Sequence, residues 1–188
     1  MSGGPALSFA ECLVTSQIDS TALTNTVTQT SIIPPASRYA LPANFFSQIG
    51  KMLRIKARGR LSNTAASVNL SFQFCLGATG TTIVFNSGVF ALAAVAKTNV
   101  TWAYEAALVC RSLGAAATVL GVGNFECEAA GAGTANVAAG IMLPLTAPVV
   151  GATFDSTAVN IMDLMATWGT ASATNTITTH QYFVESLN

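Results

Sequence analysis

Hydrophobic and polar residues alternate along most of this chain, and helical spacing is nearly absent. In "KMLRIKARGRLS", Leu53, Ile55 and Ala57 point one way and Arg54, Lys56, Arg58 and Arg60 the other, as successive side chains of a strand do. Gly59 interrupts this run at a position suited to a bulge or bend. "VNLSFQFCLG" sets Leu70, Phe72, Phe74 and Leu76 on one face, with Ser71, Gln73 and Cys75 opposite. "NVTWAYEAALVCRS" gathers Val100, Trp102, Tyr104, Ala106, Leu108 and Cys110, leaving Thr101, Glu105 and Arg111 outward. "TVLGVGNFECEA" turns Phe125 and Cys127 in and Glu126 and Glu128 out. The last run, "TNTITTHQYFVESL", has Ile177, Thr179, Gln181 and Phe183 on one side and Thr178, His180, Tyr182 and Val184 on the other. Neither of its faces is clearly the apolar one.

Turn chemistry separates these runs: "SNTAAS", "GATGTT", "NSG" and "GTASATN". Roughly eight main strands so spaced predict an all-β chain, an antiparallel β-sandwich. Two longer connections, Ser31 to Gly50 and Ala129 to Gly151, suit the sheet-to-sheet crossings of a jelly roll better than a meander. The sandwich is expected over residues 39–188. Residues 1–38 are Ser/Thr-rich with weak alternation and are expected to be an N-terminal arm or edge strand, ordered against a neighbour.

Charge narrows the function. The chain has eight basic and eight acidic residues and no net charge. A whole-molecule field that gathers nucleic acid or anionic membrane is therefore not expected. A chain that is 51% hydrophobic and 9% charged is poorly equipped to stay a soluble monomer, which points to assembly. The longest apolar run, "VFALAAVA", is too short to span a bilayer, and "MSGGPALSFAECLVTS" lacks the pattern of a secretory leader. Synthesis in a cytoplasm is the expectation, with no membrane and no nucleic acid as partner.

Catalytic chemistry has little to work with. His180 is the single histidine, and a base needs an orienting group and a nucleophile. Glu126 and Glu128 would lie roughly 7 Å apart on one strand face, and Asp155 with Asp163 is the other carboxylate pair available. Neither pair sits in a stretch with an aromatic platform for a sugar. "GVGNFE" and "GAGTAN" do not complete a phosphate-binding loop. Cys12, Cys75, Cys110 and Cys127 are scattered without a CxxC pair, so reduced, small apolar cysteines are expected and no metal or cofactor. The chain is read as a non-enzyme.

The distinctive feature is the basic run: five of the eight basic residues lie between Lys51 and Arg60. A nucleic-acid site would want stacking aromatics and a positive domain. Phe45 and Phe46 precede the run in a Pro-flanked loop, and the domain is neutral. Glu105, Glu126 and Glu128 face outward on other predicted strands, so charges can pair across the ladder. Arg54, Lys56, Arg58, Arg60, Glu105, Glu126 and Glu128 are therefore the candidate interface residues. An ion ladder within or between subunits and a plain solvated face both remain open.

From "RYALPANFFSQIGKMLRIKARGRLS" through "NVTWAYEAALVCRSLGAAATVLGVGNFE" to the closing "QYFVESLN", the chain resembles small β-rich virion proteins of tailed bacteriophages, of the head decoration, minor capsid or minor tail type. The resemblance covers about Tyr39 to Asn188 and carries no catalytic motif. It implies a jelly-roll fold and a structural virion protein, foremost a capsid decoration (cement) protein. Such a protein would bind the head surface as a homotrimer, with itself and a phage major capsid protein or tail protein as partners. The alternative it leaves is a minor tail or fibre protein with a receptor- or glycan-binding role.

Overall fold

Alternation becomes strand pairing in the computed structural model, which describes residues 10–129 and 139–187. In chain order the strands are β1 (Ala10–Thr15), β2 (Leu23–Thr24), β3 (Thr30–Ser31), β4 (Ala40–Leu41), β5 (Met52–Asn63), β6 (Asn69–Leu76), β7 (Thr82–Asn86), β8 (Phe90–Ala91), β9 (Lys97–Ser112), β10 (Thr118–Cys127), β11 (Ala139–Leu143), β12 (Asn160–Ile161), β13 (Asp163–Trp168) and β14 (Thr176–Leu187). The larger sheet runs β1-β14-β5-β9-β10-β11, with β2 also on β14. The smaller runs β3-β13-β6-β7, with β8 also on β6, and β4 pairs with β12. All these pairings are antiparallel. The fold is the expected all-β antiparallel sandwich. Connections from β5 to β6, β8 to β9 and β13 to β14 cross between its sheets.

The core lies where the alternation put it. Leu53, Ile55, Trp102, Tyr104, Leu108 and Phe125 of the larger sheet are buried against Phe72 and Phe74 of the smaller. The Phe72 ring lies 5.9 Å from Trp102, 5.3 Å from Tyr104 and 5.1 Å from Phe125, centre to centre. Such tilted aromatic pairs add roughly 0.5–1.5 kcal/mol each beyond area burial. The other face of β6 is buried as well, with Ser71, Gln73 and Cys75 on it. Their polar atoms find partners there, with Gln73 Nε2 donating to Ser71 Oγ at 2.8 Å and Thr167 Oγ1 to Gln73 Oε1 at 3.3 Å.

β14 shows why its inward face was illegible. Ile177 and Thr179 are buried, then Tyr182, Val184 and Ser186. The pairing register with β5 shifts between Thr179 and Gln181. A bulge inserts one residue there, His180, and the inward set changes from odd to even positions. Gly59 faces this bulge. A Cβ at Gly59 would lie 1.8 Å from the Thr178 carbonyl oxygen. The Trp102 indole N–H, opposite Gly59 on β9, donates to Arg60 O and Thr178 O, both at 3.2 Å.

The described part of the N-terminal segment finds neighbours within its own chain. β1 is the edge strand beside β14, β2 also pairs β14, and β3 pairs β13. Leu23, Ile32 and Ile33 belong to the core. The stretch from Ala129 to Gly151, read as a connection, holds a strand, β11, on the edge of β10. Its small residues and lack of charge concealed the alternation. After β11 the chain stitches the two sheets together: Leu145 N–H donates to Ser87 O, Gly151 N–H to Val119 O and Ala152 N–H to Ile83 O, at 3.0–3.1 Å. At one end of the sandwich Phe46 and Phe154 are buried edge to face, 5.4 Å apart. Lys51 Nζ covers the Phe45 ring at 4.1 Å.

This arrangement gives two expected outcomes in equilibrium unfolding. Trp102→Ala loses about 3–5 kcal/mol, the usual range for a buried aromatic truncated to Ala. Gly59→Ala, adding one methyl against the β14 backbone, loses about 1–3 kcal/mol. A Gly59→Ala variant with the parental midpoint would show that β14 does not approach β5 this closely.

Candidate functional site

The outer face of the larger sheet collects most of the predicted interface residues. β5 supplies Arg54, Lys56, Arg58 and Arg60; β9 lies on one side of it and β14 on the other. Lys56 pairs in register with Glu105, and Arg54 with Glu185. Arg54 Nε lies 3.7 Å from Glu105 Oε1, Arg54 Nη1 3.6 Å from Glu185 Oε2, and Lys56 Nζ 3.6 Å from Glu105 Oε2. The predicted ladder therefore forms within one chain, as Glu185–Arg54–Glu105–Lys56. Glu185 was missed because the bulge at His180 hid which way β14 faces.

The other predicted residues leave this ladder. Arg60 Nη1 donates to Thr101 Oγ1 at 2.8 Å and Asn99 O at 3.2 Å. Glu126 accepts from Asn124 Nδ2 at 3.0 Å. Glu128 pairs with Lys97, a buried lysine at the start of β9, at 2.8 Å. Arg58 is exposed and has no ion or hydrogen-bond partner among the described residues. It stands beside a shallow trough floored by Ala103, with Lys56, Glu105, Asn124 and Glu126 around it. A wider groove of about 410 Å³ continues over Ala107 and Gly140 to Val122 and Met142.

The ladder carboxylate Glu105 has a 44% exposed side chain. Exposed pairs of this kind contribute roughly 0.2–1 kcal/mol. The ladder is thus not a main source of stability.

The remaining titratable groups are held in structural roles. Asp163 is fully buried, accepts from Ser31 Oγ at 2.6 Å and is ion-paired to Arg38. Burial raises its pKa, and the Ser31 hydrogen bond and the Arg38 guanidinium pull it partly back. Asp155 is exposed, and its carboxylate is stabilised by the Thr157 hydroxyl and N–H. The two aspartates do not share a site. His180 Nδ1 lies 2.9 Å from Asp19 Oδ2 on the exterior, at the bulge. Burial pushes the Cys75 thiol up to about 12, with the Asp163 charge adding to it, and raises Cys110. Cys12, Cys75 and Cys110 are free thiols. Among the described residues no three His, Cys, Asp or Glu side chains converge as metal ligands, and no helix is long and apolar enough to cross a membrane.

No protein-family model matches this chain, and no curated protein matches it. Among solved structures it is similar to the CBM2 module of the evolved Dit of Lactobacillus casei BL23 phage J-1. That likeness has 12% identity, covers 97% of this chain and 98% of the other, and has a TM-score of 0.38. A likeness this loose assigns no site and no role.

Two measurements follow. A double-mutant cycle on Lys56→Ala and Glu105→Ala yields a coupling of about 1 kcal/mol or less; several kcal/mol would mean that the ladder is a main support of the sheet. For Asp163, a carboxyl with a folded pKa above its unfolded value favours folding most when protonated. Its contribution is full below about pH 4, the ordinary aspartate range, and is lost as pH rises through the raised folded value. The stability of the parent relative to Asp163→Asn therefore falls as pH rises above about 4 in paired thermal melts. A rise there would show that the Arg38 pair outweighs the cost of burial.

Proposed function

We propose that this chain is a structural, non-catalytic component of a tailed-bacteriophage virion: a head decoration protein held on the major capsid protein. The observation that carries this reading is the division of the surface. Charged residues cluster on the outer face of the larger sheet and are largely paired there. No charged residue occurs between Arg60 and Lys97, or between Glu128 and Asp155. Together these two regions expose Val89, Leu145, Val149 and Val150. Neighbouring exposed apolar residues without charge mark a surface that meets protein. The resemblance of residues 39–188 to small virion proteins supplies the particle.

The receptor- or glycan-binding alternative depends on exposed rings at loop tips. Phe46 and Phe154 are instead buried, and Phe45 is half-buried beneath Lys51. These rings plug the end of the sandwich. The loops therefore offer little stacking surface, which favours the structural reading.

The test uses heads of the phage that encodes the chain, prepared without it. Purified full-length protein should co-sediment with them saturably and raise the temperature at which the shells disrupt. Binding confined to tails or to host cell-wall polysaccharide, with none to heads, would overturn the proposal in favour of the tail or fibre reading.

A further inference from the structure

The two edge strands of the larger sheet are unlike. β1 carries Glu11 and a register shift between Cys12 and Val14, both of which discourage another strand from adding to it. β11 has neither: its five residues, "AGIML", are uncharged and pair evenly with β10. On its other side, no backbone hydrogen bond from the described residues reaches it. An uncovered, uncharged edge strand is a template for one more strand.

The order of side chains along β11 says which strand. An antiparallel copy of the same five residues, centred on Ile141, brings Gly140 opposite Met142 and Ala139 opposite Leu143. Met142 then meets Gly140 on one face of the sheet and Leu143 meets Ala139 on the other, while Ile141 meets itself. Gly140 and Met142 lie on the outer face, in register with Glu126 and Asn124 of β10. Met142 is 76% exposed in the single chain. Among the described residues, a Cβ at Gly140 would have only Glu126 Cγ nearby, at an ordinary 3.7 Å, so these residues do not require glycine there. A second copy does, because the glycine leaves room for a methionine across the seam.

We propose that β11 is the seam of a homodimer, in which two copies pair antiparallel about a twofold axis through Ile141 and continue the larger sheet across both. Such an interface is isologous, the commonest symmetry of soluble oligomers. A threefold axis cannot pair β11 with itself. The lack of charge between Glu128 and Asp155 means that no like charges from this region meet across the axis. Five residues alone fall short of the roughly 1,000 Å² of a specific interface. Exposed Val122 on the adjacent strand and Leu145 just beyond β11 extend the apolar margin.

Sedimentation equilibrium on the full chain tests the seam. The parent should show twice the 19.3 kDa chain mass. Gly140→Val, which fills the space reserved for Met142 of the second copy, should dissociate at least tenfold more readily while keeping the parental melting of one chain. Met142→Lys, at an exposed position, should do the same and covers the case of a poorly folding Gly140→Val. The double swap Gly140→Met with Met142→Gly restores large against small and should restore the dimer. A parent that stays at the single-chain mass at every concentration, or that shows three times that mass, overturns the proposal. So does a dimer indifferent to Gly140→Val and Met142→Lys, or a swap that fails to recover association.

Discussion

The larger sheet depends on how closely β14 approaches β5 at Gly59. The missing side chain lets the Thr178 carbonyl come within a distance that no Cβ would tolerate. The Trp102 indole fills the space beside it and donates to carbonyls of both strands. One residue farther on, β14 bulges and its inward positions change parity. Tyr182 and Val184 enter the core as a result, and Glu185 is delivered to the outer face, within reach of Arg54. The core of the C-terminal strand and one end of the ion ladder thus share a single cause. A ladder worth so little per pair cannot set the register; the buried tryptophan and the bulge set it, and the charges follow.

That hierarchy explains which features were legible from the residues. β5 and the stretches of β9 and β10 around Trp102 and Phe125 were readable because large apolar residues recur there at every second position, with charged residues such as Arg54, Glu105 and Glu126 between them. Trp102, Phe72 and Phe125 could be put in the core on that ground alone. The basic run was also readable as a ladder, since Glu105 sits on a strand whose inward face is unmistakable. β14 was not, because alternation assumes an unbroken period of two and a bulge breaks it with no residue type that announces the break. β11 failed for another reason. In a stretch of Ala and Gly, hydrophobicity differs too little between faces to show a period. The polar face of β6 is buried because hydrogen bonds among Gln73, Ser71 and Thr167 satisfy it, a compensation that periodicity does not display.

Buried polarity elsewhere follows the same logic of local compensation. Asn63 Nδ2 donates to three carbonyls, of Thr64, Ala93 and Val95, and so fastens the end of β5 to the chain that leads into β9. Asp163 sits at the head of β13, where Ser31 and Arg38 converge on it. These contacts tie the N-terminal segment to the smaller sheet, while β1 and β2 tie it to the larger. The segment bridges both layers, and its retention does not require a foreign surface.

The pairing of Arg54 and Lys56 with carboxylates of their own chain has a consequence for assembly. Charges already satisfied within one chain have little left to offer a partner, and desolvating them at an interface would cost more than it returns. The part of the molecule that gains most from leaving water is therefore the uncharged flank, from the edge strand β11 to the stitch between the sheets. There the backbone of β11 supplies direction, because an edge accepts only another strand, and the exposed valines and leucine beside it supply area. The basic strand that dominates the sequence directs Arg54, Lys56 and Arg60 to partners within its own chain. The quiet stretch between Glu128 and Asp155, which carries no charge, is where the molecule has most to gain from contact with another protein.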